Sequence, residues 1–119
     1  MTATVPFALP VEDVVLTEDA AFPGEVLSGR PTMSSAVLWA STERAVVRGV
    51  WQAEPGSFSW DFPRNETLVV LRGRARVTVT GGPVLTLGPG DVAAFKVGDR
   101  TVWEVTETLR KVFVVDSAA

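Results

Sequence analysis

The residue types that this chain lacks restrict the chemistry that it could perform. Its 119 residues include no histidine, no cysteine and no tyrosine. Serine–histidine and cysteine–histidine nucleophile pairs, disulfides, and zinc sites built on imidazole or thiolate are therefore excluded. Any catalysis must use Asp, Glu, Lys, Ser, Thr, Arg or the backbone.

Aromatic side chains at alternating positions are the second chemical feature. Trp60 and Phe62 are two residues apart, so on a β-strand their rings lie on the same face. By the same alternation, Trp103 shares a face with Thr101 and Val105. Such rings can wall a small-molecule pocket or fill a hydrophobic core, and the pattern alone allows both.

The overall composition is typical of one globular domain. Hydrophobic residues make up 46% of the chain, and 14 acidic against 11 basic residues give a net charge of −3. A nucleic-acid-binding domain usually carries a basic face instead. No apolar run approaches the roughly 20 residues of a membrane span, and the N-terminus lacks the pattern of a signal peptide. We therefore expect a cytoplasmic protein that binds neither nucleic acid nor membrane.

From Ser34 onward the pattern is that of an all-β domain. Valine, threonine and aromatic residues dominate, and Gly/Pro/Asp clusters recur about every eight to twelve residues, as in sandwiches and barrels. Residues 1–33 are interrupted by prolines and are interpreted as an arm and a loop, with a strand or extended segment over 11–17 and a loop over 20–32. Residues 34–119 form the predicted barrel domain. Strands are predicted near 35–41, 44–53, 57–62, 66–72, 74–80, 83–87, 92–95, 100–106 and 109–115.

Local patterns indicate how some of these strands sit in a sheet. Residues 74–80 alternate, with Ala75, Val77 and Val79 on one face and polar residues on the other. The stretch 66–71 is apolar on both faces after its first residue, which predicts a central strand. Residues 71–74 and 80–83 have the composition of tight turns. The predicted fold class is all-β, closed or two-sheeted so that few strand edges are exposed.

Several short motifs follow one another in an order that resembles the cupin superfamily over about residues 46–115. They are Pro55-Gly56, Glu66 followed after six residues by Gly73, Gly90-Asp91, and Gly98. The segment Trp103–Lys111 and the pair Trp51 and Trp60 resemble the small single-domain cupins similar to the ureidoglycine aminohydrolase and ethanolamine-utilisation cupins. The resemblance implies a double-stranded β-helix, the cupin jelly-roll barrel, in a single domain.

The metal ligands of that family are largely absent from this chain. The family's first motif, H-x-H-x3-E, places Trp60 and Phe62 at its histidine positions, and the second, P-x-G-x2-H, places Thr101 at its histidine. Only Glu66 matches a ligand. Because one carboxylate cannot hold a transition metal tightly, we expect no metal and no other cofactor.

Glu66 is the candidate catalytic residue. The resemblance implies that it points into the barrel near Trp60 and Phe62, where its carboxylate would be desolvated and could act as a general acid or base. Alternatively, Glu66 pairs with an arginine of the barrel or caps a turn; the arginine candidates are Arg48, Arg64 and Arg100. The predicted ligand-binding set is Trp51, Trp60, Phe62, Glu66, Thr101 and Trp103.

Other charged residues are assigned lesser roles. Asp61 alternates with Trp60 and Phe62 and should point away from Glu66. Lys96 and Arg100 flank Gly98 at the expected barrel mouth, where they could meet an anionic ligand or simply be solvated. The basic residues Arg72, Arg74 and Arg76 are interpreted as a solvated strand face.

Three functions remain open from the sequence. The first is a metal-independent cupin that binds a small molecule in an aromatic-lined pocket. The second is an enzyme of aminohydrolase, isomerase or lyase type that uses Glu66 as acid or base. The third is a non-catalytic structural or regulatory protein with a filled barrel. For all three we expect a homodimer, because the apolar N-terminal arm is poorly stabilised alone and two-fold oligomers are common.

Overall fold

The structure, a computed structural model, describes residues 4–117. These residues form nine β-strands and two single turns of 3-10 helix, Val11–Asp13 and Thr42–Arg44. In chain order the strands are β1 (Thr17–Glu18), β2 (Glu25–Gly29), β3 (Met33–Ala40), β4 (Val46–Ala53), β5 (Gly56–Asp61), β6 (Asn65–Val79), β7 (Val84–Leu87), β8 (Val92–Phe95) and β9 (Arg100–Asp116). The prediction of an all-β fold is confirmed.

Strands β6 and β9 run antiparallel along almost their whole lengths and form the central ribbon of the barrel. Beside one half of this ribbon, β4, β3 and β1 extend the sheet next to β9, and β8 pairs with β6. Beside the other half, β5 and β2 extend the sheet next to β9, and β7 pairs with β6. The ribbon bends between its halves, so the two sheets curl toward each other as a jelly roll in a single domain.

Gly73 marks the bend in β6. Its φ is +91°, and the register of β6 against β9 shifts repeatedly between Val70 and Ala75. A Cβ at this position would collide with the backbone of Thr108 on β9. The predicted turn at residues 71–74 is therefore wrong, because the glycine forms a bulge within one continuous strand. The strands predicted at 100–106 and 109–115 are likewise one strand, β9.

The N-terminal third is more regular than the sequence indicated. Residues Glu25–Gly29, predicted as loop, form β2 and pair with β5. The strand or extended segment predicted at 11–17 is instead a 3-10 turn, with only Thr17 reaching the sheet. Arg110 holds this turn against the barrel, since its guanidinium donates to the Val11 carbonyl oxygen at 2.9 Å. Arg72 reinforces the attachment by pairing with Glu12 at 2.8 Å.

The alternation of β6 separates the barrel interior from its surface. Leu68, Val70 and Val77 are completely buried, whereas Val69 on the opposite face is 41% exposed. The predicted inward face of residues 75–79 is confirmed. Arg72, Arg74 and Arg76 are solvated on the outside, as expected, next to glutamates of neighbouring segments. Among residues 4–117, no helix has the length and apolar character that a bilayer crossing requires.

Candidate functional site

A cavity of about 280 Å³ lies inside the barrel and opens to solvent at one end. Strands β4, β5, β6 and β9 supply its floor and walls, and the segment before β2 supplies part of its mouth. The lining residues are Asp19, Ala21, Phe22, Pro23, Trp51, Phe58, Trp60, Phe62, Pro63, Arg64, Glu66, Trp103, Lys111, Phe113 and Val115. A mainly apolar cavity with a few convergent polar groups is the usual form of a small-molecule site.

The polar centre of the cavity is an ion pair between Glu66 on β6 and Lys111 on β9. Lys111 Nζ donates to Glu66 Oε2 at 2.5 Å, and both side chains are only 10% exposed. The expectation of an arginine partner is wrong. Arg48 covers the ring of Trp39, Arg64 donates to backbone carbonyls at Arg44 and Ala45, and Arg100 lies by Asp61.

Aromatic rings surround the ammonium group of Lys111. Nζ lies 4.7 Å from the ring centroid of Trp51, 5.4 Å from Trp103 and 5.8 Å from Phe113. A cation over aromatic faces is attracted by the ring quadrupoles, by up to about 2 kcal/mol when it is desolvated. Lysine is almost never buried without such compensation. The rings and Glu66 together hold the ammonium at a fixed point in the cavity.

Both members of the pair keep hydrogen-bonding capacity toward the cavity. An ammonium has three N–H donors, and Glu66 is its one protein acceptor among the described residues. Glu66 Oε1 receives no hydrogen bond from residues 4–117. In this part of the chain, every side-chain polar atom that is shielded from solvent has a hydrogen-bond partner, so Glu66 Oε1 must be accessible. A ligand could therefore accept from Lys111 and donate to Glu66 Oε1.

The walls of the cavity are held by ring stacking. Trp103 stacks on Phe58 with 6.0 Å between ring centroids, and Phe62 stacks on Phe95 at 4.3 Å. Phe22, from the segment before β2, stacks on Trp60 at 5.7 Å. These contacts join both sheets and the N-terminal segment around one space. The predicted residues Trp51, Trp60, Phe62, Glu66 and Trp103 all line it.

Thr101, the sixth residue of the predicted set, does not line the cavity. It is 2% exposed, and its hydroxyl accepts a hydrogen bond from Trp103 Nε1 at 3.0 Å while donating to the Trp60 carbonyl oxygen at 2.6 Å. The structure thus places Thr101 behind the wall. It fixes the orientation of the Trp103 indole and links that ring to β5.

The sequence did not point to several lining residues of the cavity, and Lys111 and Phe22 are the two that matter most for the site. Lys111 follows the inward alternation of Leu109 and Phe113 on β9, so strand periodicity could have placed it in the interior. The neighbouring Arg110 faces outward to Gln52 and the N-terminal turn, so the two adjacent cations serve opposite faces. For Phe22 there was no comparable signal, because it lies outside any strand.

The charged residues expected near the mouth lie outside the cavity. Asp61 points outward, as expected, and is exposed beside Arg100. Lys96 is also exposed and pairs with Asp99 at 3.0 Å. The Lys96 backbone N–H, and secondarily its side chain, hydrogen-bonds the Asp99 carboxylate and holds the pKa of Asp99 below its usual value of 3.8. This is a turn-stabilising contact at the surface.

The residues at the family's metal-ligand positions do not fit a transition metal. Trp60, Phe62 and Thr101 present no suitable donor to the cavity, and the remaining carboxylate, Glu66, is bound to an ammonium. Among residues 4–117 there is no group of three or more Asp, Glu, His or Cys residues that could hold a metal ion. The cation at the centre of this barrel is the Lys111 side chain.

A two-sheeted jelly roll around a central, side-chain-lined cavity is the architecture of a cupin domain. Residues 40–113 match the family model of the EutQ-like cupin domain. The chain belongs to this EutQ-like cupin family. No match to a curated protein was found.

Solved structures agree with this assignment. A DUF861-family protein from Thermotoga maritima is 34% identical over 54% of this chain and 73% of its own, with a TM-score of 0.52. A DUF861-family protein of unknown function from Pseudomonas syringae is 25% identical, with a TM-score of 0.77 over 87% of this chain and 45% of its own. The EutQ protein of Clostridium difficile, 17% identical, shares the fold with a TM-score of 0.64 over 74% of this chain and 70% of its own.

Proposed function

We propose that this cupin domain binds a small organic molecule in the barrel cavity without the help of a metal. The observation that supports this most directly is the Glu66–Lys111 pair, which lies at the polar centre of an aromatic cavity with unused hydrogen-bonding atoms. If the barrel were only a packed core, an apolar pair of similar volume would serve stability as well or better. A buried pair facing open space is better explained by a ligand.

The cavity also indicates the shape of this ligand. The walls formed by Trp51, Trp60 and Trp103 favour a flat, apolar body. The Lys111 ammonium and Glu66 Oε1 favour an end group that carries a hydrogen-bond acceptor beside a donor. A volume near 280 Å³ limits the ligand to a small metabolite-sized molecule.

Ligand binding is tested by native mass spectrometry of untagged protein and by tryptophan fluorescence. We expect a co-purified or added small molecule to quench the fluorescence, since three of the four tryptophans line the cavity. Lys111→Met should abolish the quenching. Lys96→Met removes an exposed lysine instead and serves as the control. Equal quenching in Lys111→Met and wild type would contradict the proposal.

The metal-independent part of the proposal has its own test. Elemental analysis of untagged protein should find no stoichiometric Mn, Fe, Ni or Zn, and ligand binding should survive dialysis against a chelator. Near one equivalent of metal, lost from Glu66→Gln but retained in the exposed-site variant Asp61→Asn, would overturn it.

Acid–base catalysis by Glu66 is the second candidate function. It is favoured by the free oxygen of Glu66, which can exchange a proton with a ligand while Lys111 stabilises developing negative charge. Turnover of a bound ligand that is lost in Glu66→Gln, with binding retained, would support an enzyme over a binding protein.

A further inference from the structure

The two lysines of this chain have very different surroundings. Lys96 is 79% exposed in a surface turn, where it pairs with Asp99. Lys111 is 10% exposed on the cavity wall, against a carboxylate and under three aromatic rings. A largely buried primary amine in an aromatic cavity, beside an acid–base group, has the arrangement required for covalent chemistry with carbonyl compounds.

We propose that Lys111 is a nucleophile that forms an imine with a small, uncharged aldehyde or ketone bound in the cavity. This inference rests on the proposed ligand-binding function and specifies its chemistry. Its geometric basis is the contact of Lys111 Nζ with Glu66 Oε2, together with the open space that both groups line.

The charges of the cavity favour a carbonyl ligand over an anion. Glu66 and Lys111 neutralise each other, and the other two charged lining residues, Asp19 and Arg64, are of opposite sign, so the lining carries no net charge to attract a carboxylate or phosphate. An anionic group that approached Lys111 would also lie close to the Glu66 carboxylate, in surroundings where like charges repel strongly. A neutral carbonyl oxygen can accept from the ammonium without this cost.

The proposed step is balanced with the groups already present. Glu66 takes one proton from the Lys111 ammonium, and the freed nitrogen lone pair forms a bond to the carbonyl carbon. The carbonyl oxygen acquires two protons, both from the Lys111 nitrogen: Glu66 returns the first, then carries the second from the nitrogen of the carbinolamine, and the oxygen leaves as water while the C=N bond forms. The Lys111 ammonium and the carbonyl compound thus give a protonated imine and one water, with Glu66 regenerated as a carboxylate and no oxidant or reductant consumed.

The aromatic walls help the imine to persist. Imines are hydrolysed by water, and apolar walls around the C=N bond limit the access of water to it. Trp51 and Trp103 cover the nitrogen, at 4.7 Å and 5.4 Å between Nζ and the ring centroids. They would also attract the positive charge of the protonated imine as they attract the ammonium.

Reductive trapping tests the proposal, with Lys96 as an internal control in the same molecule. The intact protein is incubated with benzaldehyde, butanal or butanone in the presence of cyanoborohydride, and the alkylated lysine is located by peptide mass spectrometry. We expect at least one probe to alkylate Lys111 at least about tenfold faster than Lys96, because binding raises the effective concentration of the carbonyl. Glu66→Gln should slow alkylation of Lys111 by roughly 100-fold while leaving Lys96 unaffected.

Failure of this inference can be distinguished from failure of ligand binding. Benzyl alcohol has the shape of benzaldehyde but no carbonyl, and its quenching of tryptophan fluorescence reports binding alone. If benzyl alcohol quenches the fluorescence but no probe alkylates Lys111 faster than Lys96, the imine proposal is overturned. The proposed binding function is then still supported. If Glu66→Gln does not fold, Lys111→Arg, checked by near-UV circular dichroism, replaces it. Arginine keeps the charge, and loss of the adduct there, with Lys96 still labelled, assigns the fast site to Lys111.

Discussion

At the scale of single residues, the Glu66–Lys111 pair makes an unusual thermodynamic prediction. Removal of either partner leaves the other charged and unpaired in the cavity wall. We expect Glu66→Leu and Lys111→Met each to lower the free energy of unfolding by about 1–3 kcal/mol, the lower part of the range for buried pairs because the cavity is open to water. The double variant should recover most of this loss, since an apolar pair of similar volume needs no desolvated charge.

Urea denaturation of the four proteins measures this coupling. Additive losses in the double variant would contradict the interpretation, because they would mean that the two side chains contribute independently. Recovery of stability without recovery of ligand binding would show that the pair is kept for function rather than for the fold.

Thr101 supports the cavity through one hydroxyl, and its replacement separates that role from packing. Thr101→Val keeps the volume but leaves the buried Trp103 N–H without its acceptor. We expect a loss of about 1–2 kcal/mol in unfolding free energy and a change in tryptophan emission. Thr78→Val, on the exposed face of β6, should change neither. An unchanged stability for Thr101→Val would argue that the Trp103 hydrogen bond is dispensable.

Predictions for single residues were correct where the alternation of a strand determines the face to which a side chain points. Trp60 and Phe62 are two positions apart, so their shared face followed from strand alternation, and their convergence with Glu66 was implied by the resemblance to cupins. The identity of the Glu66 partner did not follow, because Lys111 is 45 positions away in sequence and reaches Glu66 only through the pairing of β6 with β9. The candidate arginines carry the same charge as Lys111, yet each of them is engaged elsewhere: Arg48 over Trp39, Arg64 on backbone carbonyls and Arg100 beside Asp61.

At the scale of elements, the bulge in β6 is the feature on which the barrel shape depends. Gly73 combines a positive φ with close approach to the backbone of Thr108. We expect Gly73→Ala to be destabilising by several kcal/mol, since the new Cβ meets rigid backbone in addition to the conformational strain, which alone costs roughly 1–2 kcal/mol. Gly81→Ala isolates the strain, because Gly81 has a φ of +72° and a Cβ added there would meet no atom within 4 Å.

Thermal or urea unfolding of the two variants gives the comparison. A loss in Gly73→Ala that is no larger than in Gly81→Ala would mean that β6 and β9 can separate at the bulge without cost.

The distinction between turn and bulge could not be made from the sequence, because both accept a glycine at positive φ. Whether the chain reverses at such a glycine depends on the strand with which it pairs, and a local sequence pattern does not contain this information. The turn predicted at residues 80–83 from its composition is confirmed, because β6 and β7 pair directly across it.

The surface turn over Lys96–Asp99 leads to a pH prediction. Since the folded-state pKa of Asp99 lies below 3.8, the carboxylate stabilises the turn above its unfolded-state pKa, and this stabilisation is lost as pH falls through the lower folded-state pKa. An NMR titration of the Asp99 carboxyl carbon should show a midpoint below that of an unstructured peptide. A Lys96→Met variant, which keeps the backbone N–H donor, should raise the midpoint only in part. A full return to the midpoint of the unstructured peptide would assign the effect to the side chain rather than to the backbone hydrogen bond.

At the scale of the whole molecule, the N-terminal third and the barrel are not independent. Phe22 and Pro23 line the mouth of the cavity, β2 pairs with β5, and Arg110 and Arg72 hold the turn at Val11–Asp13. The segment that the sequence presented as an arm thus shapes the entrance to the site. It was not recognised because β2 is exposed along its length and has no buried face to produce an alternating pattern.

Apolar side chains also remain on the outer surface of the barrel. Val69 and Val92 pair across β6 and β8, and Val114 lies diagonally beside them on β9; they are 41%, 68% and 38% exposed. Val5, Phe7 and Leu9 of the N-terminal arm are exposed as well. Contiguous apolar patches on a small domain mark interaction sites.

The expected homodimer is most simply formed through this valine patch, because a two-fold axis places the same surface on both partners. Light scattering at micromolar concentration should then give twice the chain mass of 12.7 kDa. Val92→Glu should yield monomers that remain folded, since the side chain is 68% exposed and supports no core contact. Val84→Glu, at a 50% exposed position on β7, should remain dimeric. If the wild-type protein scatters only as a 12.7 kDa species, the dimer itself is contradicted. If Val92→Glu remains dimeric, the interface lies on another surface, and the N-terminal arm is the next candidate.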